Sequence, residues 1–282
     1  MRVTFDTPGV CSCYFPEFGP PQRAPPTDAA LRRSTRGPLL GNVASVDEAD
    51  RTPLQRLGVI ASQEVELAPG LAHIEAYTRH GLLTLLWHGP AEAETAVVAG
   101  GGAMGGLLGP ADGFYHWLGI HLAEQGIATL RVGWRVPNDL DACTLDLAGA
   151  TEMVCRRGAQ RVVTLGHSFG GAIAVRVGVA IPAVVAGVVT FATQSAGCEM
   201  AGGLEGRPLL LFHGDADELL PPASSEMVRY LAGSGDLVIL PGTGHLLSQA
   251  AEVLRALTPP WIQDVLAGRP PARLGTLSPS PG

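Results

Sequence analysis

The sequence predicts an α/β fold in which helices flank a doubly wound, mostly parallel sheet. Short apolar runs of strand length alternate with helical segments from about residue 64 to about residue 266. Such alternation is typical of βαβ units, because each crossover helix packs on a face of the sheet. Gly126 and Gly158 follow helical segments directly, at positions where a helix commonly ends.

The predicted elements follow one another with short connections. Glu64–Leu67 and Leu82–Trp87 are predicted to form an early antiparallel pair. The later strands are predicted at Thr95–Ala99, Ile127–Val132, Arg161–Leu165, Val184–Phe191, Pro208–Phe212 and Leu237–Leu240. The helices are predicted at Asp112–Gln125, Thr144–Arg157, Phe169–Ala180, Ala223–Leu231 and Leu246–Leu266. Because proline lacks the backbone N–H that a helix interior uses, Pro259 and Pro260 are expected to interrupt the last helix.

The chain is expected to hold one folded domain between two irregular ends. Residues 1–58 are rich in proline and poor in periodic apolar residues, which predicts an irregular N-terminal extension. The folded domain is predicted over residues 59–267. A flexible tail is predicted over 268–282, where proline and glycine recur.

The composition disfavours several classes of protein. Hydrophobic residues make up 46% of the chain and the mean hydropathy is +0.22, so a substantial core can be buried. The formal net charge of −7 and the lack of a basic stripe argue against a nucleic-acid partner. The apolar runs are shorter than a membrane span, and the N-terminus lacks a signal-peptide pattern. A cytoplasmic protein without a membrane partner is therefore expected.

Cysteine usage predicts neither a disulfide framework nor a metal centre. The five cysteines are few and irregularly spaced. Cys11 and Cys13 form a C-x-C pair, but no nearby histidine or second cysteine pair completes a metal-binding set. No metal ion or other cofactor is expected.

A candidate nucleophile lies in the segment Gly166-His167-Ser168-Phe169-Gly170, which matches G-x-S-x-G. The match is short, and its alternative is a glycine-rich turn with an incidental serine. An apolar strand precedes the match and a helical segment follows it, which is the context that a nucleophile elbow requires. The context therefore favours Ser168 as a nucleophile.

A candidate acid and a candidate base follow the next strands. Asp215, Asp217 and Glu218 come directly after a buried apolar run, at the strand end where parallel sheets present catalytic groups. These carboxylates could instead cap the next helix. His245 lies in a glycine-rich loop after another strand, where its ring can project back toward the sheet. On local chemistry alone, Asp215 and Asp217 are almost equal candidates for the acid.

A glycine-rich loop over residues 100–106 follows the strand at 95–99. Glycines allow the backbone to approach a substrate closely. A phosphate-binding loop is the rival interpretation, but the Gly-Lys-Ser/Thr ending of such a loop is missing.

The serine, acid and histidine segments together resemble the α/β-hydrolase family over about residues 64–267, in the order Ser, Asp, His. His213-Gly214-x-x-Asp217 is similar to the family's acid loop, which favours Asp217 and leaves Asp215 as a candidate supporting residue. The resemblance implies a Ser-His-Asp hydrolase that forms an acyl-enzyme and needs no cofactor.

The resemblance also implies the remaining site residues. The backbone N–H of Phe169 and one from Gly102 or Ala103 would form the oxyanion hole. Arg135 lies where many relatives carry a conformationally important arginine and is a second candidate supporting residue. The gap between the strands near residues 191 and 208 is too short for a large lid. The chain is therefore similar to compact, dienelactone-hydrolase-like or esterase-like members, with Ser in place of the Cys nucleophile that the dienelactone-hydrolase-like members carry.

The predicted function is cleavage of a small-molecule ester or thioester by a serine hydrolase. An acyltransferase or thioesterase of a biosynthetic pathway would use the same triad, and it is the first alternative. A non-catalytic binding protein of the same fold is the second alternative. An intact Ser, Asp and His set argues against it, because a binding role does not need all three.

Overall fold

The computed structural model describes residues 51–274, which form one nine-stranded sheet with helices on both faces. The strands are β1 Val59–Ala68, β2 Leu71–Thr78, β3 Gly81–His88, β4 Thr95–Gly100, β5 Ala128–Gly133, β6 Arg161–His167, β7 Val185–Phe191, β8 Leu209–Gly214 and β9 Asp236–Leu240. The helices are α1 Pro53–Leu57, α2 Phe114–Ala123, α3 Leu140–Arg156, α4 Phe169–Ala180, α5 Ala223–Ala232 and α6 Ala251–Leu266.

The sheet is antiparallel at one side and parallel across the rest. Its order is β1-β2-β3-β5-β4-β6-β7-β8-β9. The pairs from β5 through β4 to β9 are parallel, whereas β1, β2, β3 and β5 pair in antiparallel fashion. This confirms the predicted α/β fold with a mostly parallel sheet.

The chain changes direction across the sheet at β4. From β4 it continues to β5 on one side, and it returns to β6 on the other side. The carboxyl ends of strands at such a switch point form a crevice, because the loops that follow them diverge. Gly100 at the end of β4 pairs with Gly166 near the end of β6, so the glycine loop and the elbow start side by side.

Each face of the sheet carries its own apolar core. On one face, Leu57 of α1, Leu147 of α3 and Ile173 of α4 pack with inward-facing strand residues. On the other face, Leu118 of α2 and Leu254 of α6 do the same. Helices on both faces bury the central strands, and this burial explains their continuous apolar sequences.

The two segments predicted to form an antiparallel pair, Glu64–Leu67 and Leu82–Trp87, do not pair with each other. The strand β2 lies between the two predicted partners, so that Glu64 pairs with Ile74 and Ile74 pairs with Leu85. The signal for β2 is the alternation of buried Ile74 and Ala76 with less buried His73 and Glu75. Polar residues at every second position hid this strand, because only one of its faces is packed.

A short helix, α1, lies at the end of the segment that the sequence predicted to be irregular. Thr52 caps it, and its side chain forms a reciprocal capping box with Gln55. The Leu54 amide donates a hydrogen bond to Glu152 of α3 at 2.8 Å. Leu57 is fully buried against Gly149 of α3. The rest of the predicted extension, residues 1–50, and most of the predicted tail, 275–282, lie outside the described residues.

The last helix differs from its prediction because it is continuous through Pro259 and Pro260. These prolines remove two N–H donors from the helix interior. Trp261, Ile262 and Val265, which follow them, are buried on the sheet, and this packing holds the helical path. Across the described range, no helix combines the length and apolar character needed to cross a membrane.

Leu57→Ala is expected to lower the free energy of unfolding by about 2–5 kcal/mol, because it leaves a cavity between α1 and α3. Ile60→Ala is the matched control. Ile60 is 70% exposed, so its truncation should cost no more than about 1 kcal/mol. Urea unfolding followed by circular dichroism measures both values. Equal effects of the two substitutions would contradict the packing of α1 on the domain.

Candidate functional site

Ser168 lies in a strained turn between β6 and α4. Its backbone has φ +55° and ψ −118°, the region of the first central residue of a type II′ turn, which glycine normally occupies. The Ser168 amide donates to the Phe191 carbonyl of the neighbouring strand at 2.8 Å. A Cβ on Gly166 would lie 1.9 Å from the Gly170 carbonyl oxygen, so only glycine allows the helix to turn back this closely. The side chain of Ser168 is half-buried at the sheet edge.

Asp217 lies in the loop after β8, and its side chain is fully buried. Its Oδ1 accepts hydrogen bonds from the Leu219 and Leu220 amides, both at 2.8 Å. Its Oδ2 lies 2.8 Å from Nδ1 of His245 and 3.2 Å from Nε2 of His213. Burial alone would raise the pKa of Asp217. The hydrogen bonds from Leu220, His245 and Leu219 outweigh burial, and the pKa lies below its ordinary value.

His213 supports this carboxylate from the last residues of β8. Its Nε2 also lies 3.0 Å from the Leu220 carbonyl oxygen, and its Nδ1 lies 2.6 Å from the Ser225 hydroxyl. A carbonyl and a carboxylate can only accept, so the proton is on Nε2 and Nδ1 accepts from Ser225. The ring is fully buried, and burial lowers its pKa. His213 is therefore a neutral donor to Asp217.

His245 lies in the loop after β9, with Nδ1 directed at Asp217. Because the carboxylate accepts at Nδ1, the other ring nitrogen is left as a proton acceptor. The His245 carbonyl lies 3.0 Å from Nε2 of His167, and the two rings are 5.0 Å apart. Burial lowers the pKa of His167 to about 4, so this ring is a neutral donor. The contact holds His245 against the residue that precedes Ser168.

The two other predicted acidic residues hold the loop that carries His245. Asp215 is exposed, and its Oδ1 accepts from the Gly242 amide at 2.6 Å. Glu218 accepts from the backbone amide of His245 at 3.3 Å. Asp217 is thus the predicted carboxylate whose side chain contacts the imidazole of His245.

Arg135 is engaged in a buried ion pair with Asp146 of α3. Both side chains are at most 3% exposed, and the Arg135 amide also donates to Asp146 at 2.9 Å. Its guanidinium lies 3.4 Å from the Thr78 hydroxyl. These contacts join the loop after β5 to α3 and β2, so Arg135 stabilises the packing of these elements.

The glycine loop after β4 lies beside the elbow. A Cβ on Gly102 would lie 3.8 Å from the Cβ of Ser168. The indole N–H of Trp134 lies 3.0 Å from the Gly102 carbonyl oxygen and 3.3 Å from that of Gly101. No role for Trp134 was predicted from the sequence. The sequence feature that could have indicated this role is the position of Trp134 directly after β5, the strand that adjoins β4.

The described residues contain no cluster of three or more His, Cys, Asp or Glu side chains that could hold a metal ion. Cys11 and Cys13, the pair considered for metal binding, lie outside the described residues.

Comparisons with known proteins are informative at the level of structure. No protein-family model matches the chain, and no curated protein matches its sequence. Est1E from Butyrivibrio proteoclasticus superimposes with a TM-score of 0.59 at 15% identity, over 69% of this chain and 99% of that one. Dienelactone hydrolase from Anabaena variabilis gives a TM-score of 0.59 at 20% identity, over 72% and 97% of the two chains.

A further similar structure is MGS-MChE2, an α/β hydrolase enzyme from lagoon sediments of Mar Chica, Morocco. It gives a TM-score of 0.51 at 20% identity, over 64% of this chain and 95% of that one. These neighbours are hydrolases, and the match covers 95–99% of each of their chains. The strand order and these likenesses confirm the predicted resemblance at the level of fold: the chain has the α/β-hydrolase fold.

Proposed function

We propose that the protein is a serine hydrolase that cleaves a small-molecule carboxylic ester through an acyl-enzyme. The observation that carries this proposal is the 2.8 Å contact between Asp217 Oδ2 and His245 Nδ1. His245 also contacts His167, the residue before the strained Ser168. A serine with a base and an oriented acid is the arrangement that activates a hydroxyl for acyl transfer.

In the proposed reaction, Ser168 Oγ attacks the acyl carbon while its proton passes to Nε2 of His245. The buried carboxylate of Asp217 stabilises the imidazolium that forms. The tetrahedral intermediate then collapses: its bond to the alcohol oxygen breaks, and His245 returns the proton to the leaving alcohol. Water repeats the sequence on the acyl-enzyme, which releases the carboxylic acid and regenerates the Ser168 hydroxyl.

Two backbone donors are proposed to bind the oxyanion. The first is the Phe169 amide, at the start of α4 and directly after the nucleophile. The second is the amide of Gly102 or Ala103. In a trans peptide, C=O and N–H point in opposite directions. Since the Gly101 and Gly102 carbonyls face the Trp134 indole, the amides of Gly102 and Ala103 face away from it.

The entrance to the site is proposed to be open. The connection from β7 to β8, over residues 192–208, contains a short 3-10 helix at Ala201–Leu204 and otherwise turns and irregular backbone. A connection of this length leaves little material to cover Ser168. This supports a site that accepts small acyl compounds directly from solvent.

An alkyl fluorophosphonate is expected to label Ser168, because Oγ of Ser168 displaces fluoride from the phosphorus and forms an O–P bond. Intact-mass and peptide mass spectrometry measure the adduct. Ser168→Ala should abolish labelling and lower ester turnover by at least about 10⁴-fold, since the triad acts as a unit. Folding of the variant is checked by circular dichroism. The proposal would be wrong if folded wild-type protein carried no adduct on Ser168.

Asp217→Asn is expected to lower kcat by about 10⁴-fold, because an amide cannot hold the tautomer of His245 or stabilise its charged form. Asp215→Asn is the matched control. It keeps an oxygen acceptor for the Gly242 amide, so most of the activity should persist. Steady-state hydrolysis of a p-nitrophenyl ester compares the two. The reverse order of effects would make Asp215 the acid.

Ser168→Gly is expected to raise the free energy of unfolding by about 1 kcal/mol. A residue with a side chain pays about 1–3 kcal/mol to adopt the positive φ of Ser168, and glycine avoids this cost. The relief exceeds the conformational entropy that glycine, which is more flexible in the unfolded chain, loses on folding. Ser224→Gly, within helix α5, is the control and should instead lower stability by about 0.5 kcal/mol. Chemical denaturation measures both. A loss of stability in Ser168→Gly would remove the evidence for strain at the elbow.

A further inference from the structure

Large apolar side chains project into solvent beside the proposed site residues. Met104 follows Gly102 by two positions and is 92% exposed. Leu219 follows Asp217 by two positions and is 68% exposed, while Leu246 directly follows His245 and is 61% exposed. We call Met104, Leu219 and Leu246 the apolar rim. Exposed apolar groups gathered at one place commonly mark a binding surface, because burying them is favourable.

Local hydrogen bonds bring the loops of the apolar rim together. The Gly105 amide donates to the Gly102 carbonyl at 3.0 Å, which closes a tight turn with Met104 at its tip. The Ala111 amide donates to the Leu246 carbonyl at 2.7 Å. The connection from β4 to α2, which carries Met104, is therefore in contact with the histidine loop. Met104, Leu219 and Leu246 follow the parallel strands β4, β8 and β9, whose carboxyl ends lie at the same edge of the sheet.

The exposed charged groups on the loops around this entrance are carboxylates. The loops that leave the carboxyl ends of β4 to β9 cover residues 101–113, 134–139, 192–200, 215–222 and 241–250, all of them described. The arginine within these ranges is Arg135, which is buried and paired with Asp146. Carboxylates on the same loops are exposed: Asp112, Glu199, Asp215 and Glu218. Two arginines approach these loops from neighbouring elements, but both are engaged: buried Arg131 of β5 donates to the Leu107 carbonyl, and Arg176 of α4 pairs with Asp141. An anion that enters therefore meets mainly the exposed carboxylates, which repel it.

We propose that the site takes uncharged esters with an apolar acyl chain and discriminates against anionic acyl donors. This inference rests on the proposed serine hydrolase. The apolar rim would shield the acyl chain from water while Ser168 attacks the carbonyl carbon. The exposed carboxylates would repel acyl groups that end in a carboxylate and acyl thioesters of phosphorylated carriers. This preference for neutral over anionic acyl donors would distinguish an esterase from a thioesterase that acts on carrier-bound acyl groups.

Two matched probes test the charge discrimination on the full chain: an octyl fluorophosphonate and the same probe with a carboxylate at the end of its chain. Both place a phosphorus at Ser168 and release fluoride, so they differ only in the distal charge. The second-order rate of adduct formation is measured by intact mass. The neutral probe is expected to react at least about tenfold faster at low ionic strength. The ratio should narrow in 1 M salt, where charges are screened beyond about 3 Å.

A pair of substitutions tests whether the apolar rim is the place of discrimination. Met104→Lys adds a cation at the tip of the turn, and it should slow the neutral probe and accelerate the anionic probe. Met227→Lys makes the same change of net charge on α5, outside these loops and at a 48% exposed position. This control should leave the ratio of rates as it is in the wild type.

The outcomes separate the two proposals. Equal rates for both probes in the wild type would overturn the substrate class while leaving Ser168 as the nucleophile. Equal shifts in Met104→Lys and Met227→Lys would overturn the role of the rim. Labelling by neither probe would overturn the serine hydrolase itself, and the substrate class with it.

Discussion

The buried carboxylate of Asp217 joins the parts of the candidate site. It accepts two backbone amides of its own loop, one imidazole N–H from His213 and one from His245. Four donors around two oxygens compensate for the removal of this charge from water. If one donor were lost, the buried carboxylate would lack one of its hydrogen bonds, and its charged form would be less stable. The orientation of His245 therefore depends on the same bonds that keep Asp217 ionised.

The sheet topology makes this arrangement possible over long stretches of chain. Ser168, Asp217 and His245 follow different strands, β6, β8 and β9, which are parallel and close in the sheet order. Their carboxyl ends consequently face the same edge. The strands are buried between two layers of helices, and this burial requires only that their side chains be apolar. The loops that follow the strands are not under this constraint and can carry polar groups. The strained backbone of Ser168 is tolerated because β6 is packed on both faces of the sheet and α4 is buried against one of them.

The central strands, the helices and the elbow could be predicted because their signals are local. An apolar run, a glycine and a helical pattern are enough to locate Ser168. The choice between Asp215 and Asp217 could not be made from local chemistry, since both residues follow one strand and differ only in where their side chains point. The strand β2 was missed because it is packed on one face. The role of Trp134 was missed because it depends on the neighbouring strand β4, which is distant in the sequence.

Two neutral histidines extend the hydrogen-bond network around Asp217 and His245. His213 and His167 each donate from Nε2, one to the Asp217 carboxylate and one to the backbone carbonyl of His245. Burial holds the pKa of His167 at about 4, below the value of about 6.5 expected in the unfolded chain. The unfolded state therefore binds more protons between these values, so the contribution of His167 to stability is complete above about pH 6.5 and declines as the pH falls toward 4. The same burial that keeps both rings neutral fixes the direction of each hydrogen bond, and this makes the geometry around His245 depend on the hydrophobic packing beneath it.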